Sequence, residues 1–396
     1  MEWYDFAIYG ALATVIARVF FPTGGHAALA ATFAVLATSF IARPVGALVI
    51  GRRSDRVGRR PTLSGMIAMM SFSTAAIGLL PTWSSAGAIA PLSLLLLRIA
   101  QGFSVGGEVP SSIAFLIESA PERRRGWFAG WHLASIAIGL AIGYGFAALL
   151  ATVLSDEALL TWGWRVAFLV AAPLGLVARY IRRRLQETPP FEAAERPATP
   201  HVAEVMRGWA TRVARGFVPV AVLALAFNLW FVFLPSYVAA SGLVRLDLAL
   251  GIGVGGLSMT AAAAPVMGWL SDRIGRRPGL IVGALAVAAF AGPGFSIARG
   301  STLGFLISEV AMGLLMGLLV VAAFVAELFP TGLRATGVAL SYGLASALFG
   351  GTAPWVATQL VGAGVAWLVP AFVAVVALSA LPAVAGAGET AFRKLT

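Results

Sequence analysis

Cysteine is absent from the 396 residues, which excludes disulfides, thiolate metal sites and thiol nucleophiles. The three histidines, His26, His132 and His201, are too few and too scattered for an all-histidine metal centre. Charge is scarce: Asp, Glu, Lys and Arg make up 11% of the chain, against roughly 25% in soluble globular proteins. Lysine occurs only at Lys394, and residues 182–212 are the only long polar stretch. So few polar side chains cannot cover a water-facing surface, which excludes the soluble, secreted and disordered classes. What is present is apolar, with 59% hydrophobic residues and a mean hydropathy of +0.89. The chain reads as an integral membrane protein.

A membrane-crossing helix needs about 20 mainly apolar residues. Apolar runs between charged or Gly/Pro-rich breaks lie near 3–21, 29–50, 62–81, 87–118, 126–153, 164–181, 216–240, 247–270, 278–298, 300–328, 336–362 and 365–387. Strict two-residue alternation is missing, so a closed barrel fails and twelve helices are expected. Arginines set the direction. Arg52, Arg53, Arg56, Arg59 and Arg60 follow helix 2, Arg123 to Arg125 follow helix 4, and Arg273, Arg276 and Arg277 follow helix 8. Eight more lie between Arg179 and Arg215, while the opposite loops hold only Arg165, Arg245 and Arg299. By the positive-inside rule the even-numbered turns, the middle stretch and the tail face the cytoplasm. The net charge of +11 is then a cytoplasmic fringe, and no nucleic-acid partner is expected.

The polar stretch divides the chain into a six-helix bundle at 1–181, a cytoplasmic linker at 182–215, a second bundle at 216–387 and a tail at 388–396. The halves repeat. Gly51-Arg-Arg-Ser-Asp55-Arg56-Val-Gly58-Arg59-Arg60 returns as Gly268-Trp-Leu-Ser-Asp272-Arg273-Ile-Gly275-Arg276-Arg277, an offset of 217 residues. Glu118-Ser-Ala-Pro121 with Arg125-Gly126 returns, about 210 residues on, as Glu327-Leu-Phe-Pro330 with Arg334 and Gly337. Parallel repeats related by an axis along the membrane normal are a carrier architecture, with the substrate site between the halves.

These loop repeats, together with Arg98-Ile-Ala-Gln101-Gly102, resemble the signatures of the major facilitator superfamily. The closest likeness is its metabolite:proton symporter family, and it covers nearly the whole chain. It rests on Glu2-Trp-Tyr-Asp5, Arg43-Pro44-Val-Gly46, Gln101 to Glu108, Trp162-Gly-Trp-Arg165, Ala326 to Pro330 and Gly350 to Pro354. The resemblance implies an all-α fold of twelve transmembrane helices in two pseudo-repeat halves. It also implies proton-driven symport of organic acids such as α-ketoglutarate, citrate or shikimate. Zwitterions such as proline or betaine are the alternative. Two departures stand out: the family usually has more residues before its Glu-Trp-Tyr-Asp motif, and Gly343 stands where many members carry Asn.

Ionisable groups inside the hydrocarbon are costly and functional by default. The interior candidates are Asp5, Arg43, Arg98, Glu108, His132 and Glu309. At about 100° per residue, Arg98, Gln101, Val105, Glu108 and Ser112 share one stripe of helix 4. Asp5 resembles the proton-site carboxylate of sugar porters, which pairs with the helix-4 arginine. A carboxylate titrates low beside Arg⁺ and high when stripped of it, so Asp5 is expected to carry the proton, Arg98 to control it and Glu108 to share the site. The substrate is expected to touch Arg98, Gln101, Trp131, His132, Asn228, Tyr237, Tyr342 and Gln359. Arg43, about 12 Å above the cytoplasmic turn by helical rise, is expected to reach toward that turn as a structural anchor.

The repeated loop is expected to act as a gate latch built from Gly51, Asp55, Arg56, Gly58, Arg59, Arg60, Arg125, Gly268, Asp272, Arg273, Gly275, Arg276, Arg277 and Arg334. In it Asp55 meets the start of helix 11 and Asp272 the start of helix 5, where helix dipoles are positive. Two other motifs match by accident. Gly102-Phe-Ser104-Val-Gly106 fits a nucleophile elbow but lies inside a helix, and Gly251-Ile-Gly253-Val-Gly255-Gly256 lacks the strand a dinucleotide fingerprint needs. Both are read as close-packing surfaces. With no Walker A sequence, cofactor or catalytic residue in sight, the proton gradient is the expected driving force. An intramembrane enzyme or a channel is the weaker alternative. The expected partners are a small-molecule substrate, the proton and the lipid bilayer, and the expected form is a monomer in the inner membrane.

Overall fold

The computed structural model describes residues 2–57, 59–106, 108–184, 202–393 and 395, and leaves aside the side chains of 48, 51–57, 59–64, 178–184, 202–209 and 332. Among the described residues there is no strand. Nine helices among the described residues are long and apolar enough to cross a membrane. In chain order the helical stretches are α1 (Glu2–Ala11 continued by Ala13–Phe20), α2 (Gly25–Val57), α3 (Arg59–Ile77), α4 (Ile89–Ser119), α5 (Arg125–Val153) and α6 (Asp156–Val177). They continue with α7 (Ala210–Ala240), α8 (Leu246–Ile274), α9 (Arg276–Ala298) and α10 (Thr302–Glu327). The last are α11 (Arg334–Ala345, Ser346–Gly351 and Ala353–Gly362) and α12 (Leu368–Ala387). The three beyond the nine are α1 and α11, each broken into shorter pieces, and α3, whose fully described part, Gly65–Ile77, is shorter.

The residues explain this architecture directly. Each apolar run satisfies its own backbone by forming a helix. At the turn between α8 and α9 the chain reverses on Gly275 with φ of +101°, a conformation that favours glycine. Helix also covers Val202–Asn228, so part of the segment expected as linker is helical. Polar residues there leave the apolar run but not the helical backbone, since Ala, Glu, Met and Arg are good helix formers.

Exposed apolar side chains mark the lipid face. On α5, Trp131, Ile138, Ile142, Leu149 and Val153 form one exposed stripe at helical spacing. Of the nine, α7 and α10 are the most enclosed. The first and last six stretches meet most extensively along α5 and α8. Glycines permit this approach: a Cβ on Gly130 would strike the Ala264 carbonyl, and one on Gly268 the Gly126 carbonyl. Gly102 and Gly106 of α4 meet the α2 backbone in the same way, as does Gly256 of α8 against α10. Gly251 and Gly255 face open space, so the second glycine run is only in part a packing surface.

Two π-helical turns lie along the contact between the halves, Leu229–Phe233 in α7 and Ser346–Gly351 in α11. Such a turn disturbs the regular carbonyl ladder. Here the Phe231 carbonyl accepts a hydrogen bond from the Tyr144 hydroxyl of α5.

Candidate functional site

Asp5 of α1 and Arg98 of α4 meet in the interior. Arg98 Nη1 donates to Asp5 Oδ2 at 2.9 Å, and Gln101 Nε2 donates to Asp5 Oδ1 at 2.9 Å. Arg98 and Gln101 are one helical turn apart, so both reach the same carboxylate. Gln101 also donates to Thr74 Oγ1 of α3 at 2.8 Å. The Arg98 guanidinium lies 3.8 Å from the Tyr9 ring centroid, and the Tyr9 hydroxyl donates to the Thr32 carbonyl of α2 at 2.9 Å. All of these side chains are buried. Asp5 thus has both oxygens engaged, whereas among the described residues Arg98 Nε and Nη2 and Gln101 Oε1 have no partner. Buried polar groups are nearly always paired, so unpaired guanidinium donors suit a carboxylate from outside the protein.

A second ion pair, of buried Glu2 with half-buried Arg43, lies close by. Arg43 Nη2 stands 3.3 Å from Glu2 Oε1, and the Arg43 guanidinium lies 4.0 Å from the Phe40 ring centroid. Arg43 therefore points inward rather than toward the turn, because Glu2 neutralises it and Phe40 offers its ring face. Tyr342 of α11 lies within electrostatic reach of both members, and Glu108 of α4 within reach of Glu2. Four helices, α1, α2, α4 and α11, thus contribute charged or phenolic groups around the Asp5 and Glu2 carboxyls.

The other expected contacts are dispersed. His132 is half-buried on α5, with its Nε2 enclosed and, among the described residues, without a partner. Asn228 donates from Nδ2, which lies beside Gly350, to the Ala224 carbonyl at 2.8 Å, and its Oδ1 is unpaired among the described residues. Tyr237 lies near the other end of α7, stacked on Phe233 and Phe295, with ring centroids 5.4 and 6.4 Å away. It is not gathered with Asp5 and Arg98. Trp131 is 50% exposed on the lipid-facing stripe, packed edge-on against Trp127, and Gln359 is exposed on α11. Neither belongs to the interior cluster. The rotation of α5 and α11 turns both side chains outward.

At the arginine-rich end the structure brings Asp272 to the start of α5. Asp272 Oδ1 accepts from the Gly126 N–H at 2.7 Å and Oδ2 from the Trp127 N–H at 2.8 Å. Arg276 pairs with Asp272 at 2.9 Å and with Glu327 at 3.0 Å. The two Glu-to-Arg repeats cross over between the halves: Arg125 lies 3.6 Å from Glu327, and Arg334 lies 2.7 Å from Glu118. Arg273 lies over the Trp269 ring, and Arg277 donates to the Ala385 carbonyl. Gly51, Asp55, Arg56, Gly58, Arg59 and Arg60 lie outside the described residues as far as side chains are concerned.

The sequence reading had not anticipated the tail. Glu389 accepts from the backbone N–H groups of Arg276 and Arg277 at 2.8 and 3.2 Å, capping α9. Burial pushes its carboxyl up, but the N–H groups of Ala391, Arg276, Arg277 and Thr390 outweigh that and hold it below the usual carboxylate range. Thr390 Oγ1 donates to Glu327 at 2.7 Å, and Arg125 donates to the Arg393 carbonyl at 3.0 Å. No motif announces this strap. Among the described residues no cluster suited to a metal ion occurs.

The sequence profile described as Major Facilitator Superfamily matches residues 3–263. The proline/betaine transporter of Salmonella typhimurium is 34% identical, over 100% of this chain and 82% of that protein. The alpha-ketoglutarate permease of Escherichia coli is 33% identical, over 92% of this chain and 85% of that protein. The citrate-proton symporter of Klebsiella pneumoniae is 34% identical, over 91% and 83%. Among solved structures, the proton:xylose symporter XylE bound to 6-bromo-6-deoxy-D-glucose superposes with a TM-score of 0.77. It is 20% identical and covers 100% of this chain and 94% of that one, a likeness of fold.

Proposed function

The chain belongs to the major facilitator superfamily, and on that premise we propose that it carries a small carboxylate-bearing metabolite together with a proton by alternating access. Our first reading is an organic acid; a zwitterion such as proline or betaine is the second, favoured by the proline/betaine transporter among its relatives. The observation that carries the proposal is Asp5 held by Arg98 and Gln101, with two Arg98 nitrogens unpaired beside it.

The mechanism follows from competition for one guanidinium. While Asp5 holds Arg98, the pair is neutral overall. A substrate carboxylate that takes Arg98 leaves Asp5 as an anion in a dry site, which is costly. Proton transfer to Asp5 removes that cost, so proton and substrate bind together and leave together. Each ligand favours the state in which the other is bound. Glu108, Glu2 and Arg43 set the local field, and Gln101, His132, Asn228 and Tyr342 supply polar contacts to the substrate.

Alternating access needs two closed ends that open in turn. We take the arginine-rich end, the linker and the tail as cytoplasmic and the membrane as a bacterial inner membrane, consistent with the relatives' hosts. Residues 1–181 and 216–387 then rock as two halves of a monomer. Asp272 on the start of α5 and the crossed Glu118–Arg334 and Arg125–Glu327 pairs hold the cytoplasmic side shut. The test is the external pH of de-energised, lightly buffered cells given α-ketoglutarate, citrate, shikimate, succinate, proline and betaine in turn. Alkalinisation by one compound, absent from empty-vector and Asp5→Asn cells, supports symport. No response to any compound, with the protein present in the membrane, counts against it.

A further inference from the structure

Glu309 has no part in the scheme above. It lies on α10 about 10 Å from Thr302, the first residue of that helix, and is fully buried. Among the described residues neither carboxyl oxygen has a hydrogen-bond partner and no charged side chain is paired with it. Its surroundings come from four helices. Tyr144 of α5 lies within electrostatic reach, with its hydroxyl already donated to the Phe231 carbonyl. α7 contributes the Phe231 ring, and Trp230 donates its indole N–H to Ser308 Oγ at 2.9 Å. α8 contributes Gly256, packed against the Glu309 backbone. The charge nearest in sequence on the α9 side is Arg299, beyond the end of α9, over the Tyr237 and Phe295 rings. A carboxylate anion is badly placed in such company, whereas a neutral acid is tolerated. The side chain has no accessible surface, and a proton is the one ligand that needs no room.

Two further features give that proton a task. The first is the interface. Tyr144 and Gly10 belong to the first half, while Phe231, Val232, Ser236 and Glu309 belong to the second. Ser236 Oγ donates to the Gly10 carbonyl at 3.1 Å, and Gly10 sits against Val232. This is the part of the seam toward the outer end, which must separate for substrate to enter from outside. The second is a hinge. α10 contains no proline, yet its helix breaks at Leu319 (φ −86°, ψ 61°) and Val320 (φ −75°, ψ 63°). Val320 N donates to the Leu318 carbonyl and Val321 N to the Leu319 carbonyl, two successive three-residue turns. The break separates the outer segment, which carries Glu309, from Val321–Glu327, which carries the inner ion pairs.

We propose that Glu309 is a second proton-binding carboxyl: it holds its proton while the outer seam is closed and releases it when the outer segment of α10 swings away and water enters. One proton is then taken up each time the outer side shuts. The proposal rests on the alternating-access reading, but its test needs neither substrate nor gradient, so a failure to find the substrate leaves it standing or falling by itself.

The chain has no cysteine, so Ser236→Cys makes a single reporter of the outer seam. It is placed in an Asp5→Asn background, which removes the titration of Asp5. Labelling of the purified protein by a thiol reagent is followed against pH, with and without Glu309→Gln. The ratio of the two rates cancels the titration of the thiol. It should rise with pH by up to about tenfold per unit, the limit for one linked proton. Glu309→Asp should retain the rise, and Glu309→Met, uncharged and of similar volume, supplies the reference rate if the Gln variant folds poorly. A ratio flat across pH, or no labelling at any pH, overturns the proposal.

Discussion

Replacing Asp272 with Asn removes charge where α8 is tied to α5. In the native chain its two oxygens accept from Gly126 and Trp127 at 2.7 and 2.8 Å. The amide of Asn offers only one acceptor, so one N–H at the positive end of α5 loses its partner. Arg276 is not stranded, because Glu327 still pairs with it at 3.0 Å. The loss is therefore that of one hydrogen bond to a charged acceptor, about 1.5–3 kcal/mol. At a factor of ten per 1.4 kcal/mol, the ratio of closed to open cytoplasmic seam should fall roughly 10- to 150-fold. The assay is thiol labelling of an Ala323→Cys reporter, buried on the inner segment of α10 where that segment packs on α4 and α5. Labelling should quicken by that factor while the outer reporter Ser236→Cys slows. Unchanged labelling of Ala323→Cys, in a variant as stable as its parent, would refute the latch and reduce these charges to topology signals.

Two other predictions concern packing and the tail. Gly102→Val should cost about 1–3 kcal/mol, read as a lower Tm, because its Cβ would overlap the Ser39 carbonyl and backbone has no rotamer to yield; an unchanged Tm would deny the α2–α4 contact. Glu389→Gln should lower stability by about 1 kcal/mol near neutral pH, as loss of a helix cap does. The native carboxyl is held below its unfolded value, so its contribution is complete above that unfolded value and fades as pH falls through the lowered one. Melting curves of the two proteins should therefore converge in acid; a gap that persists there would mean that the charge of Glu389 is not what caps α9.

The span pattern was legible because apolar runs and arginines carry it without help from tertiary structure. The repeat made Asp272 and the start of α5 legible as neighbours, since two copies of one loop must serve similar places in two halves. It did not reveal the crossing of Glu118 to Arg334 and Glu327 to Arg125. Both pairs follow from the same repeat, but only once the halves face each other across their axis. Helix rotation was the weakest inference. α5 is apolar on every side, so nothing in its periodicity distinguishes the lipid-facing Trp131 from the inward His132 one residue on. Arg43 was judged by its distance from the turn, which ignores partners. Glu2, three residues before Asp5 and so on the same face of α1, was the available signal. The break in α10 left no trace at all, because neither Leu319 nor Val320 is a helix breaker.

Proton coupling at Asp5 is the central claim, and gradient-driven uptake in proteoliposomes tests it most directly. Purified protein would be given the labelled substrate found by the pH screen, with and without an imposed inward proton gradient. The parent should accumulate substrate against its concentration gradient. Asp5→Asn should lose that accumulation yet still exchange labelled for unlabelled substrate, since a neutral side chain leaves Arg98 free to bind a carboxylate but cannot release a proton. Gradient-driven accumulation at the parent's level by Asp5→Asn would contradict the account, and the coupling site would have to be sought elsewhere in the chain.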